Sequence, residues 1–196
     1  MARFRALERS CVFRANCVLS GPNLLERPPS LSYNRNVKAI SAEVPSATSS
    51  AYRAILLAGS VSGVLDITAA FVTAGMRGIR PTRVLQYIAS GVLGPDAFNG
   101  GFPVASLGMG LHFLIAFGAS AAYYAASRKL GFLTGQAIAW GLPYGIAVYL
   151  FMNLVVLPLS AVSKPRYTVA SVVTGLFIHM LCIGLPISMS IRWVSK

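Results

Sequence analysis

The sequence predicts an all-α membrane protein: four transmembrane helices in a bundle, plus a short interfacial helix between the first and second spans. The first observation behind this is composition. Of 196 residues, 55% are hydrophobic and only 11% are charged, against about 25% charged in a typical soluble domain. Mean hydropathy is +0.65, so the chain has too little charge to coat a water-facing surface. The second is the presence of four apolar runs, each close to the roughly 20 residues that a spanning helix needs. The third is the placement of charge. After residue 50 only two carboxylates remain, Asp66 and Asp96, and the Lys and Arg residues punctuate the edges of the apolar runs, as membrane-flanking cations do.

The net charge of +12 invites a nucleic-acid reading, which its distribution excludes. Arg3, Arg5, Arg9, Arg14, Arg27, Arg35 and Lys38 crowd the N-terminal stretch, the rest flank apolar runs, and no basic face carries interleaved aromatics. Residues 1–50 hold Pro22, Pro28, Pro29 and Pro45, scattered Ser and Asn, and no sustained apolar run. They read as a disordered N-terminal extension. A targeting segment and a start placed too far upstream are the alternatives: the stretch is Arg- and Ser-rich, but Glu8, Glu26 and Glu43 dilute the transit-peptide pattern. Residues 51–196 form the four-span domain.

The first span covers about 54–76, from Ala54 to Met76, bracketed by Arg53 and Arg77. Asp66 stands in its middle. An acid there costs roughly 2.5–3.5 kcal/mol on insertion scales, so it must be sheltered or used. The stretch from Arg77 to Gly94 carries its own short helix, with Pro81 suited to the first turn and Gly94 to the stop. Val84, Leu85, Ile88 and Val92 fall on one side and Arg83, Gln86 and Ser90 elsewhere, the pattern of a helix lying on the membrane surface. Pro95–Gly101 is a turn-rich lead into the second span, about 104–126. The third span covers about 136–159 and the fourth about 168–191. Pro143, Pro158 and Pro186 fall within or near the ends of these helices and predict kinks. Tyr123, Tyr124, Trp140, Tyr167 and Trp193 lie near span ends, where interfacial aromatics belong. Cation counts on the two sides nearly balance, with a lean toward both termini inside.

Read at a spacing of three and four, each span has a face of small residues carrying polar ones. The first face is Gly59, Ser62, Gly63, Asp66, Ala70 and Thr73. The second is Ala105, Gly108, His112, Ala116, Ala119, Tyr123 and Ala126. The third is Gly141, Gly145, Tyr149, Asn153 and Ser160, and the fourth is Thr168, Ser171, Gly175, His179, Cys182 and Pro186. At 1.5 Å per residue, Asp66, His112 and His179 lie within about 5 Å of the midplane and Asn153 about 9 Å from it. All four are displaced toward the side of the 77–103 connection. A candidate intramembrane polar cluster of Asp66, His112, Asn153 and His179 follows.

Three readings of that cluster compete. It is a proton or solute pathway, since intramembrane Asp and His form relays. Or it only fixes helix packing through interhelical hydrogen bonds. Or His112 and His179 hold a haem, or with Asp66 and Cys182 a zinc ion. No Cys-x-x-Cys-His or His-Glu-x-x-His pattern supports the third, and no cofactor or catalytic residue is assigned. Gly118-Ala-Ser120-Ala resembles a fragment of the rhomboid-protease Gly-x-Ser-x pattern, but four spans are too few for that fold and Ser120 is read as off the His112 face. An enzyme is not expected. Four helices make a thin wall around a pathway, which points to a homodimer.

Arg83-Val-Leu-Gln-Tyr-Ile-Ala-Ser-Gly-Val-Leu-Gly94, Gly100-Gly101, Leu107–Ala116 with its His112, and Tyr123–Arg128 resemble a group of uncharacterised bacterial four-helix membrane proteins. The likeness continues through Tyr144-Gly145, Val148-Tyr149, Met152-Asn153 and Val156–Ala161, and covers roughly residues 52–192. The His-bearing second and fourth spans are more loosely similar to YagU-type inner-membrane proteins. The resemblance implies residence in the bacterial inner membrane, with the lipid bilayer as partner. It implies no substrate and no catalytic residues.

Overall fold

Four long helices account for most of the chain in the computed structural model, which describes residues 47–162 and 167–195. The expectations for residues 1–46 lie outside the described residues. Among the described residues there is no strand. Helix α1 is Ala47–Gly75, α2 is Pro81–Leu93, α3 is Gly101–Lys129 and α4 is the single turn Phe132–Gly135. Helix α5 runs Ala137–Leu159 and α6 runs Val169–Val194. Helices α1, α3, α5 and α6 are each long and apolar enough to cross a membrane.

The helices outrun the apolar runs that predict them. Arg53 lies within α1, Arg128 and Lys129 within α3, and Arg192 within α6. Long cationic side chains reach back to water from a helix that continues past the hydrocarbon edge, so charge marks the membrane boundary and not the helix end. The true ends follow backbone chemistry. After α1 the Ile79 N–H donates to Ala74 O at 3.0 Å around Gly78, whose φ of 75° only glycine adopts freely. Helix α2 opens on Pro81 and closes on Gly94 (φ 67°), whose N–H returns to Ser90 O. At the start of α6, Thr168 and Ser171 form a reciprocal cap, with Ser171 N–H donating to Thr168 Oγ1 at 3.2 Å and Thr168 N–H to Ser171 Oγ at 2.9 Å. Both residues were expected on the inward face; their hydroxyls instead serve the helix terminus.

Small residues make up much of the interior, around a few large ones such as Tyr123, Ile187 and Ile191, and large apolar residues make up much of the exterior. Ala54, Ala58, Ser62, Ala105, Ser120 and Ala137 are almost wholly buried, whereas Leu56, Val64, Leu114, Leu154 and Phe177 are exposed. That is the inverse of a water-soluble bundle and matches a helix surface solvated by lipid. Helix α1 packs against α3 and α6, α5 packs against α6, and α2 packs against α3.

Helix α2 departs from its expected orientation. Gln86, Ala89 and Ser90 are buried, while Val92 is 66% exposed. The helix therefore turns its small and polar side toward the protein. Close approach decides this: a Cβ at Gly108 of α3 would collide with the Leu85 backbone, so α2 and α3 touch main chain to main chain. Gln86 donates to Gly101 O at 3.3 Å and Ser90 to Tyr87 O at 2.7 Å, so neither polar group is stranded. Arg83 folds back on the following turn, donating to Phe98 O at 3.2 Å with its guanidinium 4.1 Å from the Phe98 ring centroid. The far end of α2 is tied to the turn after α5, where Ala161 N–H donates to Gly91 O at 3.0 Å.

Two of the three prolines leave a clear mark. Helix α5 widens to a π-helical turn over Met152–Val156, and α6 does so over His179–Gly184. Pro158 and Pro186 follow directly. A proline ring clashes with the carbonyl four residues before it, here Leu154 and Cys182, and a wider turn relieves that clash. Pro143 lies inside a regular stretch of α5. The wide turn in α6 rephases its inward face. Beyond His179 the buried residues are Ile183, Gly184, Ile187, Ser188 and Ile191, whereas regular periodicity would carry the face on through Cys182 and Pro186, both only half-buried.

Candidate functional site: a polar cavity between the spans

Asp66 lies on the α1 face opposite α3 and α6, one turn beyond the fully buried Ser62. Together with His112 of α3 and His179 of α6 it lines a cavity of about 90 Å³. Small residues from α1 and α3 (Ser62, Gly63, Ala116, Ala119) make room for it. Ile88 of α2 and Val148, Met152 and Ile183 of α5 and α6 complete the wall. Helix α2 reaches the cavity through Ile88.

The two imidazoles are held differently. His112 Nε2 lies 2.9 Å from Gly63 O, a bond that joins α3 to α1. A carbonyl can only accept, so Nε2 carries the proton and, in the neutral ring, Nδ1 is bare. His179 Nδ1 lies 2.9 Å from Gly175 O in its own helix, which by the same reasoning leaves Nε2 bare. The His179 ring also meets the Tyr149 ring edge-on, centroids 5.2 Å apart, and Tyr149 in turn fills the space beside Gly175. Among the described residues the Asp66 carboxylate has no hydrogen-bond or ion-pair partner. His179, His112 and Cys182 are titratable groups close enough to interact with its charge.

Asn153 is not among the residues that line the cavity. Its amide donates to Tyr149 O at 2.8 Å, and its carbonyl accepts from the Tyr167 hydroxyl at 3.1 Å. Asn153 thus links α5 to the segment entering α6, on the outer side of the π turn that contains it. Tyr167 is a partner that helical spacing could not supply, because it precedes the cap of α6. Ser120, read as off the His112 face, is fully buried on that face, and its hydroxyl donates to Ala116 O at 2.9 Å. Steps of four from His112 through Ala116 reach it, and its hydroxyl bonds back within its own helix.

Among the described residues no three His, Cys, Asp or Glu side chains converge in a way that could hold a metal ion. Asp66, His112, His179 and Cys182 therefore do not form the four-ligand zinc set considered from the sequence. Two tyrosines brace the cavity from behind: the Tyr144 hydroxyl donates to Ala119 O at 2.6 Å and the Tyr123 hydroxyl to Leu133 O at 3.0 Å, their rings 4.8 Å apart. No family model matches the chain, and no curated protein or solved structure matches it either.

Proposed function

We propose that this chain is an integral protein of the bacterial inner membrane, related to the four-helix group it resembles, in which Asp66, His112 and His179 handle protons within the bilayer. One observation carries the reading. The single carboxylate of the spanning helices shares one cavity with both histidines of the chain, and each ring has one nitrogen without a partner among the described residues. Asp66 is the proton carrier. When its carboxyl releases a proton, His179 Nε2 or His112 Nδ1 can take it, directly or through water, and the imidazolium formed stabilises the carboxylate left behind.

Cavity size narrows the cargo. Organic ligands occupy sites of about 300–1,000 Å³, whereas about 90 Å³ holds only a few waters. A proton path fits this space, and an organic solute of that size does not.

A structural role is the second reading, and the His112 bond to Gly63 O favours it, because that bond alone would fix the register of α3 on α1. Asp66→Asn separates the two. It keeps the shape and removes the titrating group. In proteoliposomes with an internal pH dye, the substituted protein should insert normally yet lose about a hundredfold of its proton flux, the lower end of what a positioned proton-transfer group contributes. Wild-type flux from the Asn variant across pH 5–8 would eliminate the relay and leave helix register as the purpose of the polar residues.

A further inference from the structure

The outer face between α1 and α6 carries a groove unrelated to the polar cavity. Arg53, Leu56, Leu57 and Ser60 of α1 face Trp193 and Val194 of α6 across an open volume of about 680 Å³. Its floor is apolar: Leu56 and Leu57 are both exposed. Its rim is not. The two helices are antiparallel, so Arg53, near the start of α1, and Trp193, near the end of α6, stand at the same end of the bundle and at similar depth. An indole and a guanidinium above an apolar trough is the arrangement that meets a bilayer interface, where the ring lies among headgroups and the cation faces phosphate.

The charge on this rim is unbalanced. Arg53 has no hydrogen bond or ion pair among the described residues. The nearest acid along its own helix is Asp66, about 20 Å away at the rise of an α-helix. Arg192, adjacent to Trp193, is outside the groove's wall, so Arg53 is the cation that lines it. A second groove on the α1–α6 seam, bordered by Leu65, Thr68 and Phe177, has no charged residue in its wall. The headgroup chemistry is thus specific to the Arg53 end.

We propose that this groove is a binding site for one anionic phospholipid of the bilayer, with an acyl chain along Leu56 and Leu57, the phosphate region beside Arg53, and the Trp193 indole at the level of the glycerol backbone. A zwitterionic lipid would place its own cation against the same rim and lose the advantage. A second copy of this chain, or its N-terminal stretch, would fill the trough without discriminating between headgroups.

The chain has two tryptophans, so Trp140→Phe leaves Trp193 as the reporter; Trp140 packs on Phe132, centroids 4.8 Å apart, away from the groove. The full chain with that change is reconstituted in phosphatidylcholine vesicles containing a minor fraction of lipid brominated on its acyl chains, either phosphatidylglycerol or phosphatidylcholine. Brominated phosphatidylglycerol should occupy the site about fivefold more tightly, the effect of one interfacial cation on an anionic lipid, and should quench Trp193 correspondingly more. Arg53→Gln should bring the two lipids to parity, while Arg53→Lys keeps the preference. Equal quenching by the two lipids in the parent protein overturns the proposal, as does a preference that survives Arg53→Gln. Should Arg53→Gln fail to insert, parity in the charge-preserving Arg53→Lys protein decides against it equally well.

Discussion

The α1–α3 seam and the α5–α6 seam both carry a Gly-x-x-x-Gly pair, and they use it in opposite ways. On α1, Gly59 and Gly63 face aromatic side chains: an added Cβ would run into the Phe117 ring and the Phe113 ring. On α5, Gly145 faces main chain, and Gly141 faces the small Ser188 side chain with the Gly184 carbonyl behind it. A Cβ at Gly145 would strike His179 O and Met180 Cα, and one at Gly184 of α6 would strike Gly141 O. The first pair receives rings, and the second brings two backbones into contact. The same motif therefore predicts a close helix pair in one place and an aromatic pocket in the other. What separates them is the opposing residue, Phe on α3 against Gly and Ser on α6. The polar residues follow the same division. His112, on the ring-filled seam, spans two helices with its hydrogen bond, whereas His179, on the tight seam, bonds back to the preceding turn of its own helix.

The largest test of this contrast substitutes alanine at one glycine of each seam. Gly145→Ala and Gly184→Ala must push two backbones apart, and overpacking of that kind costs about 2–3 kcal/mol. Gly63→Ala needs only a rotation of the Phe113 ring and should cost about 1 kcal/mol. Reversible unfolding in mixed micelles, or steric trapping in bicelles, measures both. Equal losses at Gly63 and Gly145 would mean that the two seams are packed alike.

Much of this fold is legible in the sequence, for reasons that the seams make concrete. Spans were readable because crossing a membrane demands a length and an apolar composition that nothing else in a short chain imitates. The same count along each helix puts Asp66, His112 and His179 near the middle of their spans, and the three line one cavity. Rotation about the helix axis was not readable where the helix departs from regular geometry. The Cys182 and Pro186 face of α6 is wrong by the residue that the π turn inserts, although Pro158 and Pro186, each just after a candidate polar residue, were the visible warning. The buried face of α2 does not follow from its apolar side, because Gln86 reaches Gly101 O at the start of α3 and Ser90 bonds to Tyr87 O in its own helix, so both are buried while Leu85 lies against Gly108. Asn153 was grouped with the histidines by depth, but its partner Tyr167 stands outside any helical stripe.

A smaller effect distinguishes the two imidazoles. His112→Ala removes a bond between helices and leaves Gly63 O with one partner fewer, and interhelical hydrogen bonds of this kind contribute about 0.6–2 kcal/mol. His179→Ala removes a bond within α6, which the carbonyl of Gly175 can replace with backbone donors already nearby, the N–H of His179 among them. We expect the His112 change to lower bundle stability by about 1 kcal/mol and the His179 change by less than half of that. A reversed order would show that His179 holds the α5–α6 seam through Tyr149, and not through its ring nitrogen. The pair also sharpens the flux experiment, since His179→Ala then tests proton transfer with the smaller structural disturbance.

The smallest effect belongs to α2, which touches both halves: Leu85 lies on Gly108 of α3, and Gly91 O accepts from Ala161 after α5. Tyr87 reports whether that bridge holds. Burial pushes its phenol above the usual tyrosine value of 10.0, and the neighbouring Tyr167 hydroxyl adds to the rise. The folded protein therefore prefers the neutral phenol. The docking of α2 is at full strength below about pH 10, the phenol's ordinary value, and weakens as pH rises through the higher folded value. The difference in phenolate absorbance between wild type and Tyr87→Phe should accordingly titrate above pH 10. Tyr167→Phe should lower that midpoint only in part, because burial is the larger cause. A midpoint at or below the ordinary value would place Tyr87 in open water. Helix α2 would then be undocked from the α5–α6 half, and Ile88 would no longer wall the cavity that holds Asp66.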